Sequence, residues 1–181
     1  MSMFANYYRQ DIKKLLSQLV PADAKSRKVF ESPYKLKGRH DYIILPNSLS
    51  YVEDIQSFIG SLKKNCHAKS RIVVIYFSFL WKPFLDLATT LGLRQNDIRE
   101  PNWLSSQDIT DLFTLEDFEL VKEGKRFLIP IPLGPVSEFI NRYIAHLPII
   151  NSLCLTIYQI YRPRQQAQDY TVSVIIPARN E

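Results

Sequence analysis

The amino-acid sequence predicts an α/β fold, in which helices flank a doubly wound sheet, and three observations support this prediction. The runs at 41–47 ("DYIILPN") and 71–79 ("RIVVIYFSF") are short, continuous and apolar, as in strands buried on both faces of a parallel sheet. A helical pattern separates them, so the three segments form a βαβ unit, which is almost always right-handed. Helical and strand-like segments then continue to residue 163, an order typical of α/β proteins.

The first 40 residues are predicted to form one helix followed by a basic loop. Residues 4–20 carry apolar side chains at helical spacing, and Pro21 ends the pattern. Residues 22–40 have little periodicity, so we expect a loop with at most a short edge strand at 28–30. Between 25 and 39 lie six Lys or Arg against one Glu, which would suit a patch for nucleic acid or for an anionic membrane, or a solvated loop. Aromatic residues fall mainly on other segments, so we favour the loop and expect no nucleic-acid partner.

The helix between the two apolar strands is predicted to begin with a capping box formed by Ser50 and Glu53. It ends with Lys63 and Lys64, which are favourable near the C-terminus of a helix. Its apolar face consists of Val52, Ile55, Phe58, Ile59 and Leu62.

Three further elements are expected beyond the second strand. A helix over 83–91 should end at Gly92, a residue type common just after helices. Ser105 and Asp108 have the spacing of a capping box, so a short helix should follow them. The sequence "FELVKEGKRFLIP" alternates like two strands joined by a turn at Gly124, and "LCLTIYQIYRP" is typical of one more strand.

The apolar stretch from Tyr143 to Tyr161 is about as long as a membrane span. Polar residues and a proline interrupt it and its end is β-branched, so we expect a buried helix end and a strand, with a membrane helix as the weaker alternative. The cysteines, Cys66 and Cys154, form no disulfide framework, and no secretory signal is visible at the N-terminus. We therefore expect a cytoplasmic location.

Several kinds of site are not predicted by this sequence. The glycines stand at 38, 60, 92, 124 and 134, so no G-x-G loop exists to let the backbone approach a nucleotide closely. A Walker loop and a nucleophile elbow are also absent from the sequence. The three histidines, His40, His67 and His146, do not have metal-ligand spacing, so no metal site is expected.

Taken in order, the segments from 41 to 162 resemble the C-terminal half of a class I S-adenosylmethionine-dependent methyltransferase. "DYIILPN" corresponds to the family's fourth strand and "RIVVIYFSF" to its fifth, while "FELV" and "CLTIYQIY" resemble the antiparallel sixth and seventh strands. The resemblance implies a partial Rossmann-like sheet that lacks its first strands, with flanking helices. The family's first strand, glycine loop and the acidic residue closing its second strand should precede Asp41, where about twenty residues leave no room for them.

Ligands of doubly wound sheets bind at the carboxyl ends of the strands, so Asn47 and Ser48 could bind a ligand or could simply start the next turn. The resemblance implies S-adenosylmethionine as the cofactor. It places five residues beside that cofactor, namely Leu45, Pro46, Asn47, Ser48 and Tyr51. No catalytic residue can be assigned, and because the glycine loop is missing we expect very weak cofactor binding and little or no activity.

The closing segment, "VSVIIPARNE", is similar to the first strand and loop of family 2 glycosyltransferases. The similarity implies that five residues line the nucleotide pocket of a sugar donor: Pro177, Ala178, Arg179, Asn180 and Glu181. Four segments are therefore expected, namely an N-terminal helix and basic loop at 1–40, a methyltransferase-like partial domain at 41–162, a linker at 163–170, and the start of a glycosyltransferase-like domain at 171–181.

We interpret the chain as a transferase fragment of a bifunctional methyltransferase and glycosyltransferase that acts on a small molecule or glycan. Two alternatives remain open. The first is a non-catalytic α/β interaction domain, in which an unpaired sheet edge beside the fourth strand pairs with a second copy. The second is binding of a nucleotide sugar by the closing segment itself, although one strand and one loop offer few contacts.

Overall fold

The computed structural model describes residues 3–22, 24, 27–29, 36, 38–92, 102–130 and 133–165. The predicted glycosyltransferase-like segment at 171–181 and most of the predicted linker lie outside these residues. The helices are α1 (Met3–Leu19), α2 (Ile55–Leu62), α3 (Lys82–Thr90), α4 (Ser106–Leu115), α5 (Pro135–Arg142) and α6 (Pro148–Asn151). The strands are β1 (Arg27–Val29), β2 (Tyr42–Pro46), β3 (Arg71–Phe77), β4 (Phe118–Arg126) and β5 (Thr156–Pro163).

The five strands form one sheet in the order β1-β2-β3-β5-β4. β1, β2 and β3 are parallel, whereas β5 runs antiparallel to both of its neighbours, β3 and β4. In the register, Phe77 pairs with Thr156, and Thr156 pairs with Arg126. The carboxyl ends of β2, β3 and β4 therefore lie along the same edge of the sheet. The predicted α/β fold, a partial Rossmann-like sheet with flanking helices, is confirmed.

Helices cover both faces of this sheet. On one face, Ile59 of α2 and Phe113 of α4 pack with Ile43, Ile72 and other apolar residues of β2 and β3. The ring of Phe113 stacks on that of Tyr161 in β5, with centroids 3.9 Å apart. This face holds the larger of the apolar clusters, because two helices and a 3-10 turn contribute to it.

The other face is covered by α1, whose apolar side chains follow the helical spacing expected from the sequence. Ile12 and Leu15 are buried against Ile44, Val73 and Ile75 of the sheet. The continuous apolar character of β2 and β3 is explained by this arrangement, since each strand presents side chains to a helix on either side.

The predicted capping box of Ser50 and Glu53 is wrong. The chain first makes a 3-10 turn at Leu49–Tyr51, and α2 begins only after Asp54. The carboxylate of Asp54 accepts a hydrogen bond from the backbone N–H of Ser57, at 2.9 Å. The cap lies later because the 3-10 turn uses three residues before the helix begins. By contrast, the capping box predicted for α4 is present, with Ser105 and Asp108 bonded reciprocally.

The predicted turn at Gly124 is also wrong, because β4 passes through this position without reversing. A bulge lies between Leu120 and Lys122, and Gly124 pairs with Tyr158 of β5. The ring of Tyr158 lies directly over Gly124, where a Cβ would overlap it. The glycine therefore accommodates a neighbouring side chain and does not turn the chain.

The short edge strand predicted near Lys28 is confirmed as β1, and it corrects a second expectation. β1 pairs in parallel with Tyr42, Ile43 and Ile44, so the edge of β2 is not bare along those residues. The apolar stretch from Tyr143 to Tyr161 contains a 3-10 turn, α6 and most of β5. Nowhere in the described parts of the chain is a helix long and apolar enough to cross a membrane.

Candidate functional site

The first candidate site lies where β2 and β3 end. Asn47 follows β2 directly, and its backbone N–H donates to the carbonyl oxygen of Ile75 in β3, at 2.7 Å. Ser78 follows β3, and its N–H donates to the carbonyl of Leu155, also at 2.7 Å. These bonds hold the first residue after each strand against the neighbouring strand, so the carboxyl edge is a defined surface.

Asn47 has an unusual backbone and side-chain environment. Its φ of 51° lies in the left-handed region, which asparagine adopts more readily than most residues. Its side-chain nitrogen Nδ2 donates to the hydroxyl oxygen of Tyr8 in α1, at 3.2 Å. Its side-chain oxygen Oδ1 is buried and has no hydrogen-bond partner among the described residues. An unpaired buried acceptor costs about 1–3 kcal/mol, so this oxygen calls for an explanation.

A small cleft opens beside Asn47, which we call the carboxyl-edge cleft. The segment 102–104 forms one side of it: Asn102 donates through its backbone N–H to the Ser50 carbonyl at 2.7 Å and through Nδ2 to the Val52 carbonyl at 3.0 Å. The cavity volume is about 20 Å³, which is room for about one water molecule. The lining residues are Asn47, Leu49, Ser50, Tyr51, Tyr76, Phe77, Asn102, Trp103, Leu104 and Ile109.

The structure brings together two of the five residues predicted to flank a cofactor. Asn47 and Tyr51 line the carboxyl-edge cleft. Leu45 is fully buried in the core formed with α2 and α4, and the hydroxyl of Ser48 donates to the carbonyl of Pro46 at 3.2 Å. A binding role for these residues remains a prediction, and the predicted nucleotide-sugar residues at 177–181 lie outside the described part of the chain.

Tyr8 is a residue of this site that the sequence did not predict. Its ring packs on those of Phe77 and Phe127, with centroids 5.2 Å and 5.9 Å apart. Burial raises the pKa of its hydroxyl to about 12, against a weaker opposing effect of its hydrogen bond to Asn47. Tyr8 therefore stays protonated through the physiological range. Its helical spacing predicted only a core position, because a contact across 39 residues leaves no local signal.

A second cavity, with a volume of about 530 Å³, lies on the α1 side of the sheet. We call it the polar cavity. Its wall consists of charged and polar side chains from α1, from the end of β4, from α5 and from His146 in the 3-10 turn Ile144–His146. No lining residue is shared with the carboxyl-edge cleft. No pattern in the sequence predicted this cavity, because α1 lies more than a hundred residues along the chain from the end of β4 and from α5.

The described residues contain no evident metal-binding site and no reactive cysteine. No group of three or more His, Cys, Asp or Glu within them could hold a metal ion. Cys66 and Cys154 are buried and not disulfide-bonded, and burial raises the pKa of each thiol to about 11. A thiol with so high a pKa is a weak nucleophile at neutral pH, so neither cysteine carries a candidate site.

The structure is similar to those of methyltransferases. One match is a chain of the Haloferax volcanii complex between the Trm112 methyltransferase activator and a protein assigned as a methyltransferase, with a TM-score of 0.50 and 9% identity over 76% of this chain and 60% of that one. A second is an S-adenosylmethionine-dependent methyltransferase from Thermotoga maritima, with a TM-score of 0.49 and 11% identity over 72% of this chain and 61% of that one. A third is magnesium protoporphyrin IX methyltransferase from Synechocystis PCC 6803 with bound SAH, with a TM-score of 0.45 and 12% identity over 83% of this chain and 57% of that one.

The match with a TM-score of 0.50 supports a Rossmann-like α/β fold of the kind found in methyltransferases. The chain spans about three fifths of the length of the three structures. No protein-family model matches the sequence. No curated protein matches it either.

Proposed function

We propose that this chain is a methyltransferase-like module that binds S-adenosylmethionine weakly at the carboxyl-edge cleft. The observation that carries the proposal is the buried, unpaired Oδ1 of Asn47 at the carboxyl end of β2. Sheets of this type bind ligands at such an edge, and an unpaired acceptor there gains a hydrogen bond when a ligand donor reaches it. The amino groups of S-adenosylmethionine are donors of the required kind.

The described residues would contact this cofactor on one side only and would not enclose it. Pockets for ligands of this size usually have volumes of about 300–1,000 Å³, far above the cavity volume of about 20 Å³ in the cleft. The sequence also has no glycine pair that would let the backbone approach a nucleoside. We therefore derive no methyl-transfer step, and we expect dissociation constants in the millimolar range, or about 4 kcal/mol of binding free energy.

Two features would help this wall hold a nucleoside. Tyr51 and Trp103 both line the cleft and bear flat aromatic rings, which stack favourably on bases. The Trp103 ring contacts Phe79 edge-on at 6.5 Å, and the Lys82 ammonium lies 6.0 Å from its centroid. Trp103 is therefore positioned by its neighbours before any ligand arrives.

Calorimetric titration with S-adenosylmethionine and with S-adenosylhomocysteine tests the proposal. We expect heats that saturate only in the millimolar range, and binding about tenfold weaker in Asn47→Gly. Glycine keeps the left-handed backbone and removes only the side-chain amide. Gln107→Ala serves as the matched control, because it removes an exposed amide on α4 outside the cleft. Saturation at micromolar ligand would contradict the proposal that the site is incomplete and binds weakly. Absence of heat at millimolar ligand would contradict the proposal that the chain binds the cofactor.

A second candidate function is a non-catalytic interaction domain, and two observations favour it. β1 stands at the end of the sheet with a single neighbouring strand in the described structure, and its Val29 side chain is exposed. Large exposed apolar residues also lie on α3 and directly after it: Phe84 and Leu87 on the helix and Leu91 at its end are each more than half exposed. Strand edges and apolar patches of this kind are typical of association surfaces.

Sedimentation velocity across the micromolar range tests this candidate. If copies pair through β1, the sedimentation coefficient should rise with concentration. Val29→Lys should reverse that rise, because a charged side chain on an exposed edge strand discourages pairing with another strand. A single monomeric species at every concentration would exclude self-association. The fusion with a glycosyltransferase remains a separate prediction from the sequence, since the segment 171–181 lies outside the described residues.

A further inference from the structure

The polar cavity lies between α1, the carboxyl end of β4 and α5. Its volume of about 530 Å³ falls within the range of about 300–1,000 Å³ that is usual for small-molecule sites. Unlike most such sites, it is lined largely by charged and hydrogen-bonding side chains. A cavity with these walls would bind a polar ligand in preference to an apolar one, because an apolar ligand would desolvate the charges without replacing their water.

One cation of the cavity is held in a fixed position. Arg126 is the last residue of β4; its Nε donates to Oδ1 of Asp11 at 3.3 Å, and its Nη1 donates to Oε1 of Gln18 at 2.8 Å. Burial raises the pKa of Asp11, and the charge of Arg126 opposes that effect. The Nη2 hydrogens of Arg126 have no partner among the described residues. A guanidinium held from two directions, with donors left over, is suited to binding an oxygen-rich group.

Two further cations line the cavity without a carboxylate partner. Lys14 on α1 and Arg142 on α5 form no salt bridge with any residue that the structure describes. The charge of Lys14 does act on Asp11 from a greater distance, and Arg142 lies 5.6 Å from the ring of Tyr143. The carboxylates of the wall are Asp11, which pairs with Arg126, and Glu138 on α5. The wall therefore has an excess of positive charge, which favours an anionic ligand.

The α5 wall is held rigidly in place. Asn141 accepts a hydrogen bond from the backbone N–H of Ile129 at 2.8 Å and donates to its carbonyl at 3.0 Å. The hydroxyl of Tyr7 on α1 donates to Oγ of Ser137 on α5, at 3.3 Å. These bonds join α5 both to the segment after β4 and to α1, so the three walls are fixed relative to one another and little ordering is needed when a ligand binds.

We propose that the polar cavity binds a small hydroxylated anion, that is, a sugar that carries a phosphate or carboxylate group. Lys14, Arg126 and Arg142 would contact the anionic group. The amide of Gln10, the hydroxyl of Ser17 and the carboxylate of Glu138 would bond to the hydroxyls. This inference goes beyond the proposed function, because the cavity shares no residue with the carboxyl-edge cleft and needs no bound cofactor.

The test is a titration of the full chain, without S-adenosylmethionine, with four probes followed by calorimetry. The probes are glucose 6-phosphate, glucuronate, glucose and inorganic phosphate. We expect one or both of the charged sugars to bind more tightly than glucose and than inorganic phosphate. Comparison of glucose 6-phosphate with glucuronate then tells which anionic group the cavity prefers.

Matched variants show whether the binding belongs to this cavity. Lys14→Gln and Arg142→Gln should each weaken binding of the preferred sugar about tenfold, the loss typical of one charge-assisted hydrogen bond. Lys13→Gln removes the same charge from the neighbouring position of α1, which does not line the cavity, and should leave the affinity unchanged. Because Lys13 and Lys14 are both exposed, neither substitution should affect folding.

Four outcomes would overturn the proposal. Equal binding of inorganic phosphate and the charged sugars would show a simple anion site, and equal binding of glucose would show that charge has no part. An equal loss of affinity in Lys13→Gln and Lys14→Gln would show that the ligand is attracted by the general positive charge of α1 and not by this cavity. Absence of binding by all four probes would exclude the site. None of these results depends on the cofactor titration, so the two proposals can fail separately.

Discussion

The hydrogen bond between Tyr8 and Asn47 provides the sharpest test of the site's energetics, through the substitution Tyr8→Phe. The change removes one hydroxyl and keeps the ring that packs on Phe77 and Phe127. At neutral pH it leaves Nδ2 of Asn47 without the acceptor that lies 3.2 Å away. We therefore expect the free energy of unfolding to fall by about 1 kcal/mol.

The same substitution should have the opposite effect at high pH. Burial raises the pKa of Tyr8 from 10.0 to about 12 in the folded state. A raised pKa stabilises the folded protein fully below the unfolded pKa, and this stabilisation is lost as the pH rises from about 10 to about 12. The total loss is about 3 kcal/mol, and about half of it has occurred by pH 11. Phenylalanine cannot ionise, so the variant is spared this loss.

The two effects predict that the stabilities cross. The original protein should be the more stable of the two up to pH 10, and Tyr8→Phe should be the more stable above about pH 11. Burial also raises the pKa of Tyr76 and Tyr161, but both proteins contain them, so their contributions cancel in the difference. Urea denaturation at a series of alkaline pH values, followed by circular dichroism, measures this difference directly.

Tyr143→Phe is the matched control, because the Tyr143 side chain is 57% exposed. Because this residue is exposed, its substitution should change the free energy of unfolding little. A difference for Tyr8→Phe that stays constant at every pH would refute the reasoning, since it would show that the Tyr8 hydroxyl is not desolvated by the fold.

Further substitutions test the fold by the same urea assay. Phe113→Ala should lower the free energy of unfolding by about 3–5 kcal/mol, because it removes a fully buried ring that stacks on Tyr161. Ser105→Ala should lower it by about 1 kcal/mol through loss of the α4 cap, and Ser105→Asp should restore most of that. Gly124→Ala should lower the free energy of unfolding by about 1–3 kcal/mol, because the new Cβ overlaps the Tyr158 ring. In a protein that already carries Tyr158→Ala, adding Gly124→Ala should no longer cause this loss. An equal loss of stability with and without the Tyr158 ring would contradict the packing.

The sequence predicted those elements whose signals are local. The apolar runs of β2 and β3 have strand character in themselves, and the Ser105 and Asp108 pair marks the start of α4 within four residues. The two errors at Glu53 and Gly124 have a different origin. In each case a residue type that favours a cap or a turn does not form one, because a residue distant in sequence packs on it or on the adjacent turn. Gly124 receives the ring of Tyr158, and Asn102 binds the turn that displaces the predicted cap of α2.

The candidate sites were less predictable than the fold, for a related reason. Asn47 was found because it follows a buried strand, a position that any α/β sheet makes available for ligands. Its hydrogen-bond partner Tyr8, and the segment 102–104 that lines the same cleft, come from parts of the chain that have no sequence signal for a site. The polar cavity did leave one trace, since Tyr7, Asp11, Lys14 and Gln18 recur at helical spacing and form a polar stripe on α1.

The polar stripe and the apolar face of α1 explain how one helix serves both sites. Tyr8, Ile12 and Leu15 face the sheet, and the residues one position earlier in each turn, including Tyr7, Asp11 and Lys14, face the polar cavity. Because the two rows are about 100° apart on one helix, the packing that fixes Tyr8 against Asn47 also fixes the position of Lys14. A segment outside the stretch that resembles a methyltransferase thus buries one face of the sheet and forms a wall of the cavity. Substitutions that loosen α1 from the sheet should therefore weaken both candidate sites, whereas changes at Lys14 should affect the cavity alone.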